Sequence, residues 1–389
     1  TQIPSYTRRI EDMDKQMLGI INAGEENRKL KDLVHSRSLS ALPVGGRYRT
    51  VDFMLSNMVN AGIKNVGLLT RRNYDSLLSH VNSGKDWGLN KKRGGLYIFP
   101  PYINDASPSG EYASVMDGLR GTLGFLKNAK EKYVLLGRSY VICNADFQDM
   151  LDKHIKSGAD ITLMYFDNSD DSTNCDYDGV YLKTDEDDKV LDMCYSEGKH
   201  RSNKKSMDAY IMKTTLLIDF IETAIAHNKK HFFFDVIVPN FDRLVIQGYE
   251  YKGYVGCITS LEAYYNVNMD MLKPDVYKEL FLGNRRIYTK SADGAPAKYG
   301  PNAKVSNSLI CSGCEIDGEV ENSVIFRESQ IAEGAVIKNS VVMAEGFIAP
   351  QAEINNTILD RHVKVYSNAH LSGSSNHPVF IPKGASVNE

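Results

Sequence analysis

"LPVGGRYRTVDFMLSNMVNAGIKNVGLLT", residues 42–70, sets the pattern for the larger part of the chain. Phe53, Met54, Asn57, Met58 and Ala61 recur at helical spacing within 51–62, and Gly62 stands where a left-handed helix C-cap belongs. Residues 65–70 then read as a buried strand. Further apolar, β-rich runs follow at 140–143 and 160–166, and a second helix is expected over 111–132. Helices alternating with apolar strands predict an α/β domain around a mostly parallel sheet.

The pattern changes after residue 304. "NSLI" (307–310), "NSVI" (322–325), "NSVV" (339–342) and "NTIL" (356–359) recur, with Ser308, Ser323, Ser340 and Thr357 spaced by 15, 17 and 17. Eight residues beyond each of these stands an aliphatic residue: Ile316, Ile331, Ile348 and Val365. Ile337, Ile354 and Leu371 follow at offset fourteen, and Val320 at twelve in the shorter first coil. One inward aliphatic per flat side predicts a left-handed parallel β-helix whose coils close each other's core. Cys311 and Cys314 fall inside a coil and read as packing and turn residues. Pro296, Pro301, Gly294 and Gly300 mark a junction, so the expected division is 1–293, a linker at 294–304, and 305–389.

Composition narrows the function. A net charge of −3 gives no basic field for nucleic acid. No run reaches the about 18 uncharged apolar residues of a membrane span. The opening "TQIPSYTRRIEDMDK" lacks the apolar core of a secretion signal. Six scattered cysteines fit a reduced, cytoplasmic protein.

The stretch 42–70 also resembles the glucose-1-phosphate adenylyltransferases (ADP-glucose pyrophosphorylases), whose pattern there runs P-F-G-G-K/R-Y/F-R-L/I-I-D-F-x-L-S-N-x-x-N-S-G-I. The resemblance continues through "SLLSHVNSGKDWGL" (76–89), "SMDAYIM" (206–212), "DVIVP" (235–239) and "TSLEAYYNVNMDML" (259–272). It implies a Rossmann-like nucleotidyltransferase domain followed by a left-handed β-helix. The implied chemistry joins ATP and glucose 1-phosphate into ADP-glucose and pyrophosphate with Mg²⁺, in glycogen synthesis.

Carried over residue by residue, that chemistry is missing its parts. The family's G-G-x-G-x-R-L becomes Gly24-Glu25-Glu26-Asn27-Arg28-Lys29-Leu30. A phosphate cradle needs glycine for close backbone approach. A carboxylate about 5 Å from a phosphate costs about 3 kcal/mol at an effective dielectric near 20. Lys29 offers a point charge where the family has an arginine fork; an ordinary strand-to-helix loop is the other reading of this stretch. A conserved lysine position of the family is Leu39. G-T-A-D-A becomes Glu111 to Val115, with Ala113 at its centre. The sugar-phosphate motif E-K-P becomes Tyr195-Ser196-Glu197. The metal pair becomes Asp146, beyond the strand at 140–143, and Cys257, a poor Mg²⁺ ligand.

The resemblance therefore implies a catalytically impaired, regulatory member of the family. It needs no cofactor, or Mg²⁺ for any remaining turnover, and pairs with a catalytic subunit in a hetero-oligomer, expected as a tetramer. Vestigial nucleotide contacts fall on Gly24, Arg28, Lys29 and Ala113, and sugar-phosphate contacts on Tyr195 and Ser196. Arg37, Arg47 and Arg49 are candidates for a sugar-phosphate effector or a subunit interface. The rival readings are an active adenylyltransferase using Arg28, Lys29 and Asp146, and an acyltransferase using His362 and His370.

Overall fold

In β1 (Met17–Asn22) every residue is buried, and successive side chains feed opposite cores. Met17 and Ile21 join one apolar cluster, Leu18 and Ile20 the other. A strand buried on both faces belongs to a sheet with helices on each side. The computed structural model describes residues 16–24, 28–92, 94–101, 114–169, 175, 179–196 and 202–388. After β1 come the hairpin strands β2 (Pro43–Val44) and β3 (Tyr48–Arg49), helix α1 (Thr50–Asn60), β4 (Asn65–Leu69), α2 (Asp75–Val81) and β5 (Gly95–Phe99). Then follow α3 (Val115–Arg120), α4 (Leu123–Asn128), β6 (Tyr133–Arg138), β7 (Val141–Ile142), α5 (Phe147–Ser157) and β8 (Ile161–Asp167). β9 (Gly179–Thr184), β10 (Val190–Ser196), β11 (Lys204–Lys213), α6 (Thr214–Ala226), β12 (Ile246–Glu250), β13 (Gly256–Cys257), α7 (Leu261–Asp270) and the short α8 (Pro274–Tyr277) follow in the larger domain.

The main sheet runs β5-β4-β1-β6-β11-β9-β10, with β8 also on β11 and β12 on β8. β5, β4, β1 and β6 are parallel, and β11 is antiparallel to β6. α1 and α5 cover one face, with Phe53, Met54, Met150 and Leu151 in its core. α3, α4 and α6 cover the other through Leu119, Leu126, Leu217 and Ile221. α1 matches the expected helix, and Gly62 closes it at φ 78°. Asp52 fixes its start: Oδ2 accepts the Arg49 N–H at 2.9 Å, and Oδ1 lies 2.6 Å from His80 Nε2. The helix expected over 111–132 is instead split into α3 and α4, with Thr122 Oγ1 donating to the Leu119 carbonyl at the break. The run at 140–143 supplies only β7, which pairs with β13 outside the main sheet. The strand beside β1 is β6, which ends on Arg138.

The C-terminal repeats form three parallel sheets, the sides of a left-handed β-helix. Ile316, Ile331, Ile348 and Val365 stand in register on one side. Val320, Ile337, Ile354 and Leu371 do so on the second, and Leu309, Val324, Val341 and Ile358 on the third. The N-S/T signature is a corner. Asn307, Asn322, Asn339 and Asn356 hold φ between 41° and 47°, a left-handed conformation asparagine tolerates. Asn307 Nδ2 donates to Asn322 Oδ1 at 2.8 Å, and the following hydroxyls also link coils, Ser323 N to Ser308 Oγ at 3.1 Å and Ser340 N to Ser323 Oγ at 3.0 Å. The solenoid starts inside the expected linker: Lys298–Tyr299 already pairs with Glu315–Ile316. Pairings of two residues leave no periodicity in sequence to announce them. Cys314 is buried and Cys311 half-buried, and burial pushes the Cys311 thiol up to about 11, as befits packing residues.

The β-helix is fastened to the sheet domain. The β2–β3 turn uses Gly45 (φ 58°) and Gly46 (φ 80°), and a side chain at Gly46 would collide with Cys311 Sγ. Gly45 N donates to Asn268 Oδ1 at 2.9 Å, and Tyr265 OH donates to the Asn339 carbonyl at 2.7 Å. Arg37 Nη2 donates to both oxygens of Asp360, at 2.7 and 2.8 Å, and Nη1 donates to Met343 Sδ at 3.5 Å, with Arg37 and Asp360 both buried. Cysteine usage also differs from expectation. Cys175 and Cys257 form a disulfide across 82 residues, because the fold brings the segment before β9 against β13. The scattered spacing hid that proximity.

Removing one partner of a buried ion pair leaves a stranded charge, so Arg37→Met should lower the unfolding free energy in urea by about 3–5 kcal/mol. Arg37→Met with Asp360→Leu should recover most of that loss. A single variant as stable as the parent would contradict the role given to this pair. Burial, with Lys213 adding to it, lowers His154 from its ordinary 6.5 to about 4. The unfolded chain therefore binds more protons over that interval. The contribution of His154 is complete above pH 6.5 and is lost as pH falls toward 4, at about 1.4 kcal/mol per pH unit. His154→Gln should flatten this part of a plot of Tm against pH, and an unchanged plot would count against it.

Candidate functional site

Parallel strands leave a crevice beyond their carboxyl ends, the usual ligand site of open α/β sheets. β1, β4 and β6 end there at Asn22, Leu69 and Arg138, and a cavity of about 540 Å³ opens above them. Its wall continues through Gly24, Leu39, Arg71 and Ser114, through Gly179 and Val180 of β9, and through Ile258 and Thr259 after β13. Phe232, Phe233 and Phe234 and Tyr195 add aromatic surface. Tyr195 and Phe234 are about half exposed, with ring centroids 5.3 Å apart.

The charges are arranged by β6 and β11. β6 ends on Arg138, paired in register with Asn22 of β1, so a guanidinium stands at the sheet's central crevice. β11 carries a bulge: Ser206 pairs with Tyr165 but Tyr210 with Leu163, four residues against two. At this bulge Asp208 adopts φ 52°, and its side chain lines the cavity. The carboxylate meets Arg138 Nη1 at 3.4 Å. Tyr140 OH donates to it at 3.0 Å and Tyr210 OH at 3.1 Å. Burial raises the Tyr210 hydroxyl well above its ordinary value, and the Asp208 charge adds to that. Tyr210 therefore stays a neutral donor.

Asp208 is the single carboxylate among the described lining residues, and it is already ion-paired. No group of three His, Cys, Asp or Glu suited to a metal ion occurs among the described residues. Mg²⁺ asks for six hard oxygen ligands, commonly with one or two carboxylates. The described donors do not fit it.

Of the residues singled out from sequence, the cavity gathers Gly24, Leu39 and Tyr195. Lys29 is exposed on the 3-10 turn Arg28–Val34 and does not line it. Asp146 does not line it either. It caps α5, accepting from Gln148 N and Asp149 N at 3.1 Å each, and meets Arg285 at 3.0 Å. The physical reason is that Asp146 follows β7, a strand off the main sheet, whereas the sheet strand in this region ends at Arg138. Cys257 sits beside the wall, bonded to Cys175. Arg37 is buried, with Nη2 on Asp360 and Nη1 on Met343 Sδ, so it presents no exposed fork to a sugar phosphate. Arg49 donates to Ser76 O and Oγ at 2.8 and 2.7 Å, and Arg47 to Tyr48 OH at 2.8 Å. His362 and His370 lie on the β-helix surface beside Glu345 and Glu353. Glu25, Glu26, Asn27, Glu111, Ala113 and Glu197 lie outside the described residues, as do the side chains of Arg28 and Ser196. The sequence reading missed Arg138 and Asp208. Each had a signal: a charge closing the apolar run 133–137, and an acid interrupting the β-rich run 204–213.

Comparison with known proteins follows the same outline. The nucleotidyl transferase family model matches residues 18–249, and the GlmU-like, C-terminal hexapeptide model matches residues 292–376. Glycogen biosynthesis protein GlgD of Bacillus subtilis (strain 168) is 36% identical over 375 residues, spanning 95% of this chain and 97% of that protein. The GlgD of Geobacillus stearothermophilus is 35% identical, covering 84% of each chain. Glucose-1-phosphate adenylyltransferase of Clostridium novyi (strain NT) is 31% identical over 83% of this chain and 84% of its own. With a sheet domain, a hexapeptide β-helix and relatives matched along nearly all of its length, the chain belongs to the nucleotidyl transferase family, in the group that holds the GlgD proteins and the glucose-1-phosphate adenylyltransferases.

Proposed function

We propose that this chain is a regulatory, catalytically impaired partner of a glucose-1-phosphate adenylyltransferase in glycogen biosynthesis. The observation that carries the reading is the Arg138–Asp208 pair at the end of the central strands. Transfer of an adenylyl group demands that developing negative charge be met by preorganised cations and metal. Here Asp208 is paired with Arg138, Leu39 gives an aliphatic wall, and Cys257 is held in a disulfide. The partner is a catalytic relative, bound in a hetero-oligomer in the cytoplasm. Tyr299, Phe347 and Tyr366, exposed along one side of the β-helix, support an apolar surface for it. No helix among the described residues is long and apolar enough to cross a membrane.

The test is turnover of ATP and glucose 1-phosphate with Mg²⁺, by this chain alone and mixed with a catalytic glucose-1-phosphate adenylyltransferase. Alone, kcat should lie at least about 10²–10³-fold below the partner's. In the mixture the partner's kcat or KM should change, and the two chains should elute together. Comparable turnover by the isolated chain would overturn the reading. Asp208→Gly removes a negative charge and suits the left-handed backbone. It should tighten binding of inorganic pyrophosphate about tenfold in calorimetry, and equal affinities would show that Asp208 does not govern anions in the cavity.

A further inference from the structure

The Cys175–Cys257 bond joins segments 82 residues apart whose Cα atoms lie within 5.1 Å. Both residues are buried. Cys257 immediately precedes Ile258 and Thr259, and Cys175 lies shortly before Gly179 and Val180, so the bond ties together two parts of the cavity wall. The Cys175 carbonyl accepts from the buried Lys205 ammonium at 2.5 Å, and that ammonium lies 5.3 Å from the Tyr181 ring. Cys143 and Cys314 are buried and unbridged, and Cys194 and Cys311 are partly exposed and unbridged. The disulfide is thus a distinct centre beside the site, which the proposed function invokes only as a metal ligand lost at Cys257.

We propose that Cys175–Cys257 is a reversible thiol–disulfide exchange site whose co-substrate is a dithiol, and that opening it loosens this wall of the cavity. A thiolate of the dithiol attacks one sulfur and displaces the other as a thiolate, giving a mixed disulfide. The second thiol of the reagent then attacks that mixed bond. Two electrons and two protons pass from the dithiol to Cys175 and Cys257, and the reagent leaves as its own disulfide. Because both sulfurs are buried, attack waits on local opening of β9 or β13, so exchange and wall motion are coupled. The Lys205 ammonium anchors the Cys175 carbonyl, which favours re-closure of the same pair. The inference is independent of whether the chain turns over nucleotide.

The test uses the full-length chain, purified without reductant, with free thiols blocked before digestion. A peptide containing Cys175 linked to one containing Cys257 is expected, lost with dithiothreitol and restored by oxidised dithiothreitol. Amide hydrogen exchange in peptides spanning 179–184 and 256–259 should quicken about tenfold on reduction, while the β-helix peptides stay unchanged. Cys257→Ser should show the fast exchange without reductant and no response to it; its β-helix peptides report whether it is folded, and the wild-type arm decides the matter alone if it is not. Two blocked thiols at these positions that oxidised dithiothreitol does not join would overturn the proposal. So would identical exchange in the oxidised and reduced wild type.

Discussion

The guanidinium at the end of β6 shapes what the cavity can hold. Parallel strands aim their carboxyl ends at one crevice, so the residue closing the central pair faces any ligand seated there. In this chain that residue is Arg138, and the fold supplies its counter-charge from the β11 bulge. The bulge is costly for a non-glycine residue, since Asp208 sits at φ 52°. Two tyrosine hydroxyls and the guanidinium hold it there. The result is a crevice at the strand ends with an internally satisfied charge pair at its centre.

Elsewhere in the molecule, too, charged and polar side chains are committed to holding the scaffold. Asp52, His80 and Arg49 retain the hydrogen bonds that start α1. The glycine pair of the β2–β3 turn approaches Cys311 of the β-helix, so this stretch joins the two domains. Arg37, which the sequence offered as an effector or interface residue, donates from Nη2 to both Asp360 oxygens and from Nη1 to Met343 Sδ, and so locks the solenoid to the sheet domain. This attachment is buried, and breaking it would strand a charge away from water.

The β-helix was legible from its first N-S/T corner onward, because each coil repeats one inward aliphatic per side and that corner, both local features of sequence, whereas its opening pairing at Lys298–Tyr299 was not. The helix at 51–62 and the strands at 65–70 and 160–166 were legible for the same reason, a period matched to burial. What escaped was long-range. β6 was passed over for the run at 140–143, and with it Arg138. Asp146 looked like a strand-end ligand because β7 resembles a sheet strand; only the pairing of β7 with β13 shows that it stands apart. Asp208 owes its position to a register shift that no single strand encodes. The disulfide closes over 82 residues and depends on where the chain returns, and Arg37 and Asp360 are 323 residues apart.

The central claim concerns metal and nucleotide together in the crevice, and it is tested most directly by electron paramagnetic resonance of Mn²⁺ with ATP. Spectra recorded with and without the purified chain are predicted to coincide, with the metal remaining on free nucleotide. A stoichiometric, protein-bound Mn²⁺–ATP spectrum would contradict the account.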